Sequence, residues 1–125
     1  MSTLIVRLAG SRWLQVPSPN TNGATNSLTS VACSQATSCV AVGGVTGATT
    51  SQRQAALQQG YLIEVQSRSK WHLGAVHMGS HLLDDSLTSV SCPTHQMCLA
   101  VGQSVVRAGH IPSGPIHAYA VRISR

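Results

Sequence analysis

The sequence of this 125-residue chain predicts an all-β domain, and two observations carry that prediction. First, the seventeen residues 27–43, SLTSVACSQATSCVAVG, return at residues 86–102 as SLTSVSCPTHQMCLAVG, with ten identities. Second, Phe is absent, only 9% of residues are charged and 42% are hydrophobic, and much of the remainder is Gly, Ser, Thr and Pro. Short apolar runs bounded by small polar residues are typical of buried strands joined by turns.

Each copy of the repeated stretch is predicted to be a β-hairpin closed by a disulfide. Five residues separate its two cysteines, which is an ordinary hairpin loop length and places the cysteines opposite each other. Facing residues on antiparallel strands lie at a separation that suits a disulfide. We therefore expect two bonds, Cys33–Cys39 and Cys92–Cys98. Free buried thiols are the main alternative, and a zinc site fits less well because its cysteines are usually two to four residues apart.

The remaining strands are predicted from short apolar runs in chain order. They lie at residues 3–8, 13–16, 61–66, 71–73 and 118–124. The stretches 17–26, 44–60, 74–85 and 103–117 are expected to be connectors because they are polar or rich in Gly, Pro and Asn. Within the second connector, residues 52–59 are helix formers that are compatible with one or two helical turns, without capping residues for a longer helix.

These strands form a permuted series of one four-stranded unit. If the cysteine hairpin supplies strands A and B, the Leu-Ile strand is C and the Trp strand is D. The chain then reads C-D (1–16), A-B-C-D (27–73) and A-B-C (86–124), or nine strands. The C and D strands recur with an offset of 58, which places Trp71 on Trp13 and Tyr119 on Tyr61. A four-stranded repeat of this length predicts β-propeller blades, here a single domain forming a partial wheel of about two blades.

The doubled hairpin resembles repeats of bacterial exported proteins, often actinobacterial, that read W…P…SLxxVSCxxxxxCxAVG. It is also distantly similar to sialidase-type, or Asp-box, propellers. Those families carry Ser-x-Asp-x-Gly-x-x-Trp at the turn between strands C and D. This chain keeps the tryptophans, Trp13 and Trp71, but has no aspartate at either turn. The resemblance implies a propeller fold in an exported protein.

Charge and targeting features narrow the choice of partners and location. The net charge is +5, but the eight basic residues are spread along the chain, so no nucleic-acid partner is predicted. No stretch approaches the roughly 18 apolar residues of a membrane span, and no signal peptide is visible. Paired cysteines indicate an oxidising compartment. We therefore expect a secreted or cell-surface protein, as part of a longer exported chain or with a start further upstream.

The residues that could carry catalysis are few. The chain has three acids, Glu64, Asp84 and Asp85, and two of them are adjacent, whereas glycoside hydrolysis needs a separated pair of carboxylates. His77 and His81 have the i, i+4 spacing of a helical metal pair, but a glycine lies between them. No phosphate-binding or dinucleotide-binding motif appears. We therefore predict no catalytic residues, no metal site and no cofactor.

The leading functional hypothesis is a non-catalytic propeller module that acts as a scaffold or binding surface. The alternative is a carbohydrate-binding, lectin-like propeller in which Trp13 and Trp71 stack on sugars; the competing interpretation of these tryptophans is packing between blades. A further alternative is a fragment of a sialidase-like glycoside hydrolase. Because two blades cannot close a ring, the expected partners are other blades of a longer chain or further copies in a homo-oligomer.

Overall fold

The computed structural model describes residues 2–20, 24–48, 57–78, 83–108 and 111–124. These ranges contain strands and turns but no helix, which confirms the all-β prediction. Within them, accordingly, no helix is long and apolar enough to cross a membrane. The strands are β1 (Ile5–Ala9), β2 (Arg12–Val16), β3 (Ala24–Gln35), β4 (Ser38–Ala48), β5 (Leu57–Ser67), β6 (Lys70–Met78), β7 (Leu83–Thr94), β8 (Met97–Ala108) and β9 (Ile111–Ser124).

The strands form three antiparallel sheets in chain order. Sheet 1 contains β1 and β2, sheet 2 contains β3-β4-β5-β6, and sheet 3 contains β7-β8-β9. Each strand pairs with its neighbour along the chain, as short connections favour. The predicted order of strands A-B-C-D, with B and C in the interior, is therefore the order observed in sheet 2.

The two cysteine hairpins, β3–β4 and β7–β8, share one register and one bulge. Leu28 lies opposite Gly43 and Ser30 opposite Val42, so Thr29 is the extra residue of a β-bulge. The second hairpin repeats this pattern 59 residues further on. At the bulge the strands approach so closely that a Cβ on Gly43 would lie 1.9 Å from the carbonyl oxygen of Ser27. Only glycine fits there, which explains why this residue recurs in both copies.

Both predicted disulfides are present. Cys33 is bonded to Cys39 and Cys92 to Cys98, with the Cα atoms 4.0 Å apart in each pair. Each bond closes a hairpin at its loop. Cys98 of sheet 3 is fully buried, whereas Cys33 of sheet 2 is exposed.

Several strands are longer than the sequence predicted. β4 continues to Ala48, β5 begins at Leu57 and β9 begins at Ile111, so much of the predicted connectors at 44–60 and 103–117 is strand. The predicted helical turns at 52–59 are wrong for the last three residues, which belong to β5; residues 52–56 lie outside the described part. The extensions are polar or rich in glycine, and they are strand because ladder pairing with the neighbouring strand continues past the apolar residues.

The register of β9 also differs from the predicted equivalence of Tyr119 with Tyr61. Tyr61 lies opposite Gly44, whereas Tyr119 lies opposite Gly102, which is the repeat counterpart of Gly43. Tyr119 thus takes the place of Leu62, one residue away. Because side chains alternate between the faces of a strand, this shift sends the two tyrosines to different positions in their sheets.

Candidate functional site

The core of the protein lies between sheets 2 and 3. Val40 and Val42 of sheet 2, both 0% exposed, share a buried cluster with Leu87 and Val90 of sheet 3. β7 packs across β3, β4 and β5. The bulge takes part, because the hydroxyl of Thr29 donates to the carbonyl of Leu87 at 2.9 Å. This covered interface shows how one cysteine hairpin packs on the next sheet.

The opposite face of sheet 2 is only partly covered, since Leu62 and Glu64 on it are buried but Val31 is 60% exposed. An apolar groove of about 600 Å³ runs between β1 and the β3–β4 hairpin. β1 and β2 touch the other described strands only sparsely. The residues lining the groove are mostly apolar: Leu4, Ile5, Val6, Arg7, Leu8, Leu28, Thr29, Ser30, Val31, Cys33, Ala36, Cys39, Ala41, Gln66 and Trp71. Sheet 1 therefore covers part of this face and leaves the hairpin half of it uncovered.

The open groove and the covered interface use the same repeat positions. Val31 in the groove is the counterpart of Val90 in the core, 59 residues further on, yet Val31 is 60% exposed and Val90 is 8% exposed. Leu28, which lines the groove, is likewise the counterpart of Leu87, which is buried. The groove thus has the residues that sheet 3 contributes to its contact with sheet 2, but no second sheet covers them.

The complementary half is open on sheet 3. Leu99 and Val101 are the counterparts of Val40 and Val42, but they are 45% and 44% exposed. They alternate along β8 with buried residues that face sheet 2, so they point to the outer face of sheet 3. The groove on sheet 2 and the outer face of sheet 3 therefore resemble the two surfaces that pack together between sheets 2 and 3.

The two candidate stacking residues are placed differently. Trp71 lies on β6, is partly buried and lines the groove. Trp13 lies on β2, is 68% exposed and does not line that groove. The structure thus does not bring them together in one cavity. Trp71 fits the packing interpretation, and Trp13 presents an indole to solvent.

Glu64 attaches the N-terminal segment to sheet 2. It lies on β5, fully buried, and accepts hydrogen bonds from Thr3 Oγ1 at 3.2 Å and from Ser18 Oγ at 3.1 Å. Asn20 extends the network by accepting the backbone N–H of Thr3 at 2.7 Å. Burial raises the pKa of the Glu64 carboxyl, and the bonds from Ser18 and Thr3 act in the opposite direction. The carboxylate is therefore committed to a structural contact.

A second polar cluster bridges sheets 2 and 3. His77 Nε2 lies 3.3 Å from a carboxylate oxygen of the buried Asp85, and the His77 ring stacks on Tyr61 with centroids 5.0 Å apart. Tyr61 also contacts Tyr119. Burial first, then the hydrogen bond and charge of Tyr61 and the charge of Asp85, raise the pKa of Tyr119 to about 12. The phenol consequently stays protonated near neutral pH, and the cluster joins the two sheets.

A polar cleft of about 520 Å³ lies where three hairpin loops meet. The β3–β4 loop, the β5–β6 turn and the β7–β8 loop each contribute to it. It is lined by Gln35, Thr37, Ser38, Val65, Gln66, Ser67, Arg68, His95 and Gln96. The cleft is not apparent in the sequence because its residues come from three separate hairpins. One signal was available: Arg68 occupies the turn position that glycine, Gly10, holds in the β1–β2 hairpin.

The structure gives little support to the histidine pair. His77 is engaged with Asp85, and His81 lies outside the described residues. In the part of the chain that the structure describes, no three His, Cys, Asp or Glu residues come together in a group that could hold a metal ion. The third acid, Asp84, is buried beside Asp85 in sequence on β7.

The chain was compared with protein-family models, with curated proteins and with solved structures, and none of them matches. No family relationship therefore indicates a function, and the features that can indicate one are the groove, the polar cleft and the repeated interface.

Proposed function

We propose that the chain is a non-catalytic β-propeller repeat module, and that it serves as a scaffold that joins other units of the same kind. The three sheets correspond to the C-D, A-B-C-D and A-B-C portions of successive blades. One observation carries the proposal: the groove on sheet 2 and the outer face of sheet 3 are the two separated halves of the contact between sheets 2 and 3.

The joining contact is a cysteine hairpin seated in the groove. The outer face of one unit's β8, with Leu99 and Val101, covers Leu28 and Val31 of the next unit, as Val40 and Val42 cover Leu87 and Val90 within the chain. Burying large apolar side chains supplies the driving force, at about 1.5–3 kcal/mol for each one fully removed from water. The contact is heterologous, so it repeats from one unit to the next and gives a ring of blades where the rotation between units closes. The next unit is a further blade of a longer chain or another copy of this chain.

An extracellular setting fits this module. Its two disulfides are consistent with such a location, because hairpin disulfides persist in oxidising compartments. The proposed partners are other blades, and the proposal involves neither a nucleic acid nor a membrane span.

Light scattering on the purified chain tests the joining contact. We expect the molar mass to rise with concentration above that of one 13.0 kDa chain. Val31→Glu and Leu99→Glu should each lower the mass towards the monomer, because each places a charge in one half of the contact. Leu73→Glu is the matched control, since Leu73 is an exposed leucine on β6 that does not line the groove.

Mixing the two variants makes the test specific for a heterologous contact. The Val31→Glu chain keeps an intact outer face and the Leu99→Glu chain keeps an intact groove, so the mixture should recover one contact and form a dimer. A wild-type chain that stays monomeric at every concentration, or a mixture that behaves like its components, would contradict self-association through these faces.

A second candidate is a carbohydrate-binding module, favoured by one observation, the exposure of the Trp13 indole. Aromatic faces present a large contact area to a ligand at low entropic cost. A glycan array on wild-type, Trp13→Ala and Trp71→Ala chains tests this function. If the chain binds carbohydrate, the wild-type chain should bind at least one glycan and Trp13→Ala should lose that binding. An array on which the wild-type chain binds no glycan would contradict this function.

A further inference from the structure

We propose that the polar cleft between the three hairpin loops is a binding site for a small polar ligand that carries an oxyanion, a carboxylate or a phosphate. The cleft is separate from the groove used in the proposed assembly, although Gln66 lines both. Its volume of about 520 Å³ falls within the range of small-molecule sites.

The charge of the lining residues selects the ligand. Arg68 and His95 are the ionisable groups of the cleft, and none of the three acids of the chain lines it. An arginine guanidinium offers planar, paired N–H donors that match carboxylate and phosphate oxygens. The remaining polar groups are hydroxyls and amides, which can bind the neutral part of a polar ligand. A cation would find no carboxylate among the lining residues.

Ser38 provides an independent indication of a ligand. This residue lines the cleft and is 5% exposed, and its hydroxyl has no hydrogen-bond partner among the residues that the structure describes. Buried hydroxyls are normally bonded, so an unpaired one needs an explanation. Rotation about the Cα–Cβ bond can turn this donor towards the cleft, where a ligand oxygen would satisfy it.

The backbone at Arg68 also points to a role for its side chain. Arg68 has φ of +61°, and Gly10 at the same turn position of the β1–β2 hairpin has φ of +63°. Glycine is the residue that adopts this conformation without strain. An arginine held there at the rim of a cleft is the kind of strained residue that clusters at binding sites. The guanidinium, and not the turn, explains why arginine occupies this position.

Titration of the isotopically labelled full chain by two-dimensional NMR tests the site. The probes are inorganic phosphate, D-glucuronate and D-glucose; the two sugars share a ring and differ by the carboxylate. We expect saturable shifts of the Ser38, Arg68 and Gln96 amides with at least one of the two anions and none with glucose. Phosphate and glucuronate acting in separate titrations distinguish the two sources of oxyanion. Equal shifts with glucose, or shifts scattered over basic residues outside the cleft, would overturn the proposal.

Comparing Arg68→Gly with Arg12→Gln distinguishes a direct contact of the Arg68 guanidinium with the ligand from a general effect of losing one positive charge. Arg68→Gly should bind the anion about tenfold more weakly or worse, since bonds to charged groups carry that much affinity. It should also melt at a higher temperature than wild type, because glycine relaxes the turn. Arg12→Gln removes one charge on β2, outside the cleft, and should bind as wild type does. Undiminished binding by Arg68→Gly, or an equal loss in both variants, would show that no site exists here.

Discussion

The covered interface between sheets 2 and 3 and the open groove on sheet 2 differ in what lies on top of them, and hardly in the residues that form them. Leu28 and Val31 recur as Leu87 and Val90 in the same hairpin register, with the same bulge. In the core these side chains are buried by β4 and β5, whereas in the groove they face solvent. Burial here is therefore a property of position in the stack and not of sequence.

The difference teaches that each cysteine hairpin has two faces that carry apolar side chains. One face packs on the sheet before it, and the other receives the sheet after it. In each of the two cysteine hairpins only one of these faces is fully packed, and the exposed apolar surface is where the proposed neighbouring unit would pack. Variants at paired repeat positions can test this interpretation directly.

The largest effect is expected from the paired variants Leu87→Ala and Leu28→Ala. Truncating the buried Leu87 should lower the free energy of unfolding by about 2–5 kcal/mol, because it leaves a cavity between the sheets. Leu28→Ala should cost clearly less, since Leu28 is only partly buried. Urea unfolding at a protein concentration too low for association measures both. Equal costs at the two positions would mean that the groove is already covered in the isolated chain.

A smaller loss of stability is expected from removing either disulfide, and the two disulfides allow the same comparison between the hairpins at their loops. Replacing either pair by serines should lower stability by about 2 kcal/mol, since each bond closes a short loop. Cys39 and its counterpart Cys98 are both buried, but Cys33 is exposed in the groove, whereas its counterpart Cys92 is partly buried and packs against the core. A thiol reductant should therefore open Cys33–Cys39 first.

Timed alkylation and peptide mapping in reductant measure the order in which the two bonds open. Simultaneous loss of both bonds would show that reduction waits for global unfolding. Earlier loss of Cys92–Cys98 would contradict the placement of Cys98 in the core.

The sequence predicted what is local and repeated. The hairpins and their disulfides follow from seventeen residues and a five-residue loop, and the strand order of sheet 2 follows from short connections between sequential strands. The ends of the strands were missed because pairing with a neighbour extends strands such as β4 and β9 through glycine-rich and proline-containing segments that have low intrinsic preference for a strand.

The candidate sites depend on distant residues that only folding brings together. The cleft joins Ser38, Arg68 and His95 from three loops, and Glu64 of β5 meets Thr3 and Ser18, which flank the strands of sheet 1. The register of β9 does not follow from the sequence either. The hairpins repeat with an offset of 59, and aligning Tyr119 on Tyr61 gives 58 for strand C. The observed pairing places Tyr119 opposite Gly102 and Leu62 opposite Gly43, an offset of 57. A connector can absorb such differences in length, so only the paired backbone shows the register.

The smallest effect concerns Glu64, which holds the partial cover of the open face. Its pKa is raised above the ordinary value of 4.5, chiefly by burial. A carboxyl whose folded-state pKa is raised favours folding while it is protonated, so its contribution is fully present below pH 4.5 and is lost as the pH rises through the raised pKa. Glu64→Gln lacks this titration, so its stability relative to wild type should increase with pH across that window. Ser18→Ala removes a hydrogen bond that lowers the pKa and should make the loss larger than in wild type. Urea unfolding at a series of pH values measures all three chains. Parallel curves for wild type and Glu64→Gln would mean that the carboxylate is solvated, and that sheet 1 does not stay on the face of sheet 2.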